Sequence, residues 1–238
     1  MASVFPLDIA ALGLLVGIHL FINRLSLLRK VQRERWLSFA GGVSVAFVFT
    51  FILPELGAAQ EDIEEFTGTA FSTLDNTIYL IALFGLVTFF WADWAVRVRQ
   101  EKVKRRQGFF ISHVSFAAYN IVIGYLMASL EGQGLVAFSL LTSAFALHLL
   151  VADHSIWRDH GEHYDRRGRY ILSGSLIAGF LIGYSTQMGM VWISVLLAAL
   201  AGGIILNVMK EELPVGRENR LVSFTIGAIG YALIVFVA

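Results

Sequence analysis

The stretch SFAGGVSVAFVFTFILPEL, residues 38–56, runs for nineteen residues with a single charge, Glu55, and carries two adjacent glycines and a proline close to its end. About 20 apolar residues in a helix cross the hydrocarbon layer of a bilayer. The whole chain has the same character. Of its 238 residues 57% are hydrophobic and only 15% charged, with a mean hydropathy of +0.70, which lies well outside the composition of soluble domains. The chain reads as an all-helical polytopic membrane protein, a single domain over 1–238 whose first partner is the lipid bilayer.

Eight stretches have the length and apolarity of a span: 7–28, 37–56, 77–96, 110–129, 135–153, 170–187, 190–209 and 220–238. The longest connection, Gly57 to Asn76, leaves no room for a soluble domain. No basic n-region precedes the first apolar run, so that run is expected to be a retained span rather than a cleaved signal. Prolines 6, 54 and 214 fall near predicted span ends, where a missing N–H costs least.

The basic residues test this division. All 18 lysines and arginines lie in or beside the first, third, fifth and seventh connections, whereas the others carry Glu61, Asp62, Glu64, Glu65, Asp75 and Glu131. Cytoplasmic connections concentrate Lys and Arg, so both termini are expected outside the cell membrane (a plasma or inner membrane). The net charge of zero gives no general field for nucleic acid. The absence of cysteine excludes disulfides and thiolate metal sites.

A second stretch, ALAGGIILNVMKEELP at 199–214, repeats the first: Ala-Gly-Gly near the start and Leu-Pro at the end, with one residue of slippage. By the charge rule the two copies run in opposite directions, as in inverted-repeat transporters. The alternative is that Gly-Gly recurs by chance in packed membrane helices. The pairs Gly41–Gly42 and Gly202–Gly203 would serve contacts within one chain or between two copies, so a homodimer stays open.

Polar groups inside spans are costly, roughly 2.5–3.5 kcal/mol for a charged one on insertion scales, and mark candidate functional positions. His113, Asn120 and Met127 recur every seven residues and share one helix face. The fifth span ends FALHLLVADH with His148, Asp153 and His154, and the first carries His19 and Asn23. Imidazole, carboxylate and amide oxygen together suit a divalent transition metal, zinc among them. The alternative for His19 and His113 is a hydrogen bond to a neighbouring helix, and for Asp153 solvation at the end of its span. Five residues separate His148 from Asp153, about 140° around a helix, so the two do not share a face. The connection DHSIWRDHGEHYD, 153–165, mixes histidines with acids, but its spacing fits no structural zinc site.

These stretches resemble the ZIP family of zinc and iron transporters. Residues 38–56 look like that family's second span, which ends His-Leu-Leu-Pro-Glu, and 199–214 like its seventh; eight spans with both termini outside is the family's topology. Where family members read His-Asn-x-x-(Asp/Glu)-Gly, this chain has Tyr119, Asn120, Ile123 and Gly124; where they read His-Glu-x-Pro-His-Glu, it has His148, Leu149, Val151, Ala152 and Asp153. Phe51 stands where the second span's histidine would be, while Pro54 and Glu55 remain. The resemblance implies a reduced site in which Asn120, His148 and Asp153, completed by water or His113, hold one divalent metal ion. It implies a transporter that moves a zinc-like cation into the cytoplasm, with the acids at 61–65 gathering cations outside and Glu211 and Glu212 near the inner exit; an enzyme is not expected, since no positioned nucleophile or acid–base pair stands out in the sequence. The alternative is a ZIP-like scaffold, sensor or subunit that kept the fold and lost the site.

Overall fold

The computed structural model describes residues 5–27, 30–67, 76–102, 105–129, 134–186, 188–213 and 218–237. Arg29, Asp75, Lys104, Glu131, Pro214 and Arg217, which the charge and proline arguments use, lie outside them. The described residues contain helices and no strand: α1 (Phe5–Phe21), α2 (Lys30–Phe47), α3 (Leu53–Thr67), α4 (Thr77–Lys102), α5 (Arg105–Ser129), α6 (Leu135–His160), α7 (Arg169–Ser185), α8 (Met190–Asn207) and α9 (Glu218–Val237). Six helical segments among the described residues are long and apolar enough to cross a membrane: Leu7–Arg24, Gln32–Glu61, Thr77–Ala95, Leu135–Asp159, Val191–Glu212 and Arg220–Val237. An all-helical membrane protein is the architecture these segments fit. The other two expected spans form helices as well. However, α7 is 17 residues long, and α5 opens on Arg105 and Arg106 and carries His113 and Asn120.

Among the described residues three π-turns interrupt the helices, at Val48–Ile52, Tyr164–Gly168 and Val208–Glu212. The first joins α2 to α3 without a break, since its flanking residues Phe47 and Leu53 are both right-handed helical. Pro54 is thus inside a helix rather than at its end. A proline ring crowds the carbonyl one turn back and cannot donate to it, and a wider turn immediately before it is where that mismatch is absorbed. The expected connection from Gly57 to Asn76 is therefore helical as far as Thr67. Gln60 ties its far side: its Oε1 accepts from the backbone N–H of Ile78 at 2.9 Å, satisfying one free donor at the start of α4.

Glycines set the pairing of the helices. Small residues let backbones approach where lipid supplies no hydrophobic drive for association. In α2 a Cβ at Gly42 would run into the carbonyl of Phe224 in α9, and one at Gly227 into that of Phe39. In α8 a Cβ at Gly202 would strike the carbonyl of Ala82 in α4, and one at Gly85 that of Ala199. The two Ala-Gly-Gly copies are used in the same way, each against the helix that follows the other copy. On the third pair, Gly124 of α5 meets Leu176 of α7, and Gly179 meets Ile121.

Contacts at one end of the bundle bring the starts of α2 and α9 together with the later turns of α1, α4, α6 and α8. Arg220 at the start of α9 bonds Glu34 near the start of α2 at 2.8 Å; Lys210 beyond α8 bonds Asp93 of α4. Arg158 near the end of α6 bonds Glu211 at 3.2 Å, and the Tyr164 hydroxyl reaches the carbonyl of His19 in α1 at 3.1 Å. Deeper in the bundle, Phe47 packs edge-on against Phe145 at 5.5 Å in a core with Ile52, Ile123 and Leu149.

Gly202→Val forces two backbones apart, and overpacking of this kind costs about 1–3 kcal/mol. Thermal melting in detergent should register that loss, while Gly13→Ala, with open space around Gly13, should melt like the parent. Equal melting of the two would contradict the glycine-mediated α4–α8 contact.

Candidate functional site

Asn120 sits on α5 between two neighbours, and its orientation is fixed by its own helix. Its Nδ2 lies 2.8 Å from the carbonyl of Phe116. A carbonyl only accepts, so the amide nitrogen is there and Oδ1 points the other way, 2.9 Å from His19 Nε2. That ring nitrogen must therefore carry a proton. On the far side of the ring, Nδ1 lies 2.6 Å from Asp153 Oδ2, a contact that needs one proton between the two atoms. Whichever atom holds it, the His19–Asp153 pair has no net charge.

The same carboxylate oxygen is 2.8 Å from the Tyr164 hydroxyl. Burial first, and the Asp153 carboxylate next, push that phenol well above its usual range, so Tyr164 is a donor here. The π-turn at Tyr164–Gly168 aims the ring inward, and His19, Asn120, Asp153 and Tyr164 are all at most 1% exposed. A buried ion pair contributes only when its remaining lone pairs are satisfied, and Asn120 and Tyr164 meet that need. The reading of Asp153 as a solvated span end is thereby corrected: α6 runs on to His160, about two turns past the predicted end, and carries the carboxylate inside.

Tyr119, one residue earlier, points about 100° away around α5 and starts a different chain of contacts. Its hydroxyl is 2.7 Å from His148 Nε2, and His148 Nδ1 is 2.7 Å from Glu212 Oε1. These groups join α5, α6 and the π-turn after α8. Glu212 is 3% exposed, and its second oxygen, Oε2, is buried with no hydrogen-bond partner among the described residues. Beside it Glu211 takes the more exposed position, accepting from Ser155 at 2.8 Å and from Arg158.

The four expected ligands are thus divided. Asn120 and Asp153 meet on His19, while His148 belongs with Tyr119 and Glu212. His113 packs beside the first cluster, its ring 6.2 Å from that of Tyr164 and so close to Gly168 that a Cβ there would overlap its Nε2. Among the described residues no three His, Cys, Asp or Glu side chains converge on a point where a metal ion would sit. In the connection 153–165, His154 stacks on Trp157 at 5.7 Å, Arg166 pairs with Glu162, and Tyr164 turns into the core.

To the four expected ligands the structure adds His19 as the centre of one cluster, Tyr164, Tyr119 and Glu212. His19 is visible in the sequence as a polar residue in a span, but nothing in its spacing points to α5 and α6. Tyr119 reads there as a position without a ligand, and in the structure it is the partner of His148.

Because no hydrogen bond joins the two clusters among the described residues, damage to them should add. His19→Ala and His148→Ala each leave a buried partner uncompensated, about 3–5 kcal/mol for a broken buried pair. In chemical denaturation the double variant should lose the sum within about 0.5 kcal/mol, as independent sites do. A coupling above about 1 kcal/mol, well beyond the scatter of independent sites, would show one network instead of two. No known family model matches this chain, and no curated protein matches it.

Proposed function

We propose that this protein is a membrane transporter of ZIP-like architecture that moves a divalent, zinc-like cation into the cytoplasm, with eight crossings and both termini outside. The observation that carries this reading is the burial, inside a bundle of membrane-length helices, of His19, His148, Asp153 and Glu212 at 0–3% exposure. Ionisable residues at such depth are retained where a pathway uses them, and imidazole with carboxylate is a donor set for a divalent ion of intermediate softness. The close pairing of α5 with α7 through Gly124 and Gly179 supports counting both among the crossings. The reciprocal use of the two Ala-Gly-Gly copies supports opposed repeats, around which one helix group would rock against the other.

In this reading the basic ends of the helices face the cytoplasm. The two polar clusters then lie toward that side, and Phe47, Phe145, Ile52 and Ile123 close the outer half with apolar side chains. A cation arriving between them would replace hydrogen bonds that the donors now make to one another.

A second reading, a ZIP-like bundle that does not transport, is favoured by one observation. Both ring nitrogens of His148 are already engaged by protein groups, and Ile123, Leu149 and Ala152 offer no donor nearby. Polar clusters would then serve only to tie helices together.

Zinc and cadmium uptake into proteoliposomes holding the purified protein separates the two. Transport predicts uptake above empty vesicles that falls at least about tenfold, 1.4 kcal/mol of lost binding, in His148→Ala and Asn120→Ala. Flat traces for every metal and every variant would establish the non-transporting bundle.

A further inference from the structure

Glu212 is a buried carboxylate whose burial the fold itself does not require. Two of the π-turns stand at matching places in the two repeat copies, each following Ala-Gly-Gly and each ending directly before a leucine, Leu53 or Leu213. The last residue of the first turn is Ile52, fully buried. The last residue of the second is Glu212. The same local device thus delivers an apolar plug in one half of the molecule and a carboxylate in the other, so packing alone is met by isoleucine.

The surroundings give that carboxylate space and direction. Gly41 of α2 lies against the backbone and Cβ of Glu212, where any larger residue would push it out. Oε1 faces His148 Nδ1 at 2.7 Å. Oε2 is buried and has no hydrogen-bond partner among the described residues, which is costly for an oxygen with nothing to bind. The adjacent carboxylate behaves differently: Glu211 is engaged by Ser155 and Arg158.

We infer that Glu212 is a ligand of the transported cation, sharing it with His148, and that it supplies a carboxylate where Ile123 and Leu149 offer none; this rests on the transport reading above. The geometry needs little change. A tetrahedral centre with Zn–N and Zn–O bonds of about 2.0–2.1 Å places its donor atoms about 3.3 Å apart, so His148 Nδ1 and Oε1 must separate by about 0.6 Å from their present contact. The Tyr119 hydroxyl on the opposite ring nitrogen holds the imidazole plane, as outer partners of metal-binding histidines do. Tyr119 is therefore a positioning residue and Glu212 a binding one.

Cobalt(II) serves as the probe, because its visible absorption reports its ligands directly. Purified full-length protein in detergent is titrated with cobalt beside Glu212→Gln and Glu162→Gln, and the same preparations are assayed for zinc uptake in proteoliposomes. The amide of Glu212→Gln still accepts from His148 but carries no charge, so a purely orienting role predicts parent-like binding. A ligand role predicts cobalt affinity and zinc uptake both reduced at least tenfold in Glu212→Gln and changed less than threefold in Glu162→Gln, where an exposed carboxylate pairs with Arg166. If Glu212→Gln does not fold, Glu212→Asp decides: a shortened ligand alters the cobalt spectrum, and an unaltered spectrum overturns the assignment. Parent-like binding and uptake in Glu212→Gln overturn the role of Glu212 and leave transport standing. Cobalt binding that depends on Glu212 without zinc uptake keeps the ligand and removes the transport reading. A parent protein that neither binds cobalt nor takes up zinc overturns both.

Discussion

Backbone-to-backbone approach at glycine is the constraint on which the rest of this bundle depends. Three helix pairs, α2 with α9, α4 with α8 and α5 with α7, touch where a single methyl group would collide with a carbonyl oxygen. At such short interaxial distances side chains from neighbouring helices reach the same point. That reach is what allows an imidazole on α1 to touch an amide on α5 and a carboxylate on α6, and one on α6 to touch a phenol on α5 and an acid beyond α8. Looser packing would leave those groups facing one another across gaps that lipid cannot fill and water is not present to bridge.

Much of the fold is legible in the amino-acid order because a membrane reduces folding to a few readable signals. Apolar length marks helices, and the contacts Glu34–Arg220, Asp93–Lys210 and Arg158–Glu211 bring residues in or beside the basic connections together. What the order does not reveal is local. Nothing in TFILP distinguishes a helix that stops at proline from one that widens into a π-turn and continues, since the difference is a single hydrogen-bond register.

The polar interior is half legible for a related reason. Asn120, His148, Asp153 and His113 stand out because polar groups in apolar runs are costly wherever they are. Their grouping depends on which helices are neighbours and on rotation about each axis. Helix geometry separates His148 from Asp153, 140° apart, and the structure places them in different clusters. It cannot find the partners of His19 and Glu212, which lie 134 and 64 residues away in the chain. Tyr119 is instructive as well. Beside the motif it resembles it reads as a missing ligand, yet its hydroxyl lies 2.7 Å from His148 Nε2 and fixes the plane of that ring.

The proton count at His19 bears on how this region would respond to membrane voltage. Moving one elementary charge through the full membrane potential changes the energy by about 2.3 kcal/mol per 100 mV. Asn120 fixes one proton on His19, and the short contact to Asp153 fixes another between the two residues, so the imidazole and the carboxylate together sum to zero. A helix group carrying that pair through the bilayer would do no electrical work on its account. The pair consequently adds no net gating charge, and voltage could act on the bundle only through whatever charge other groups or a bound ion bring to it.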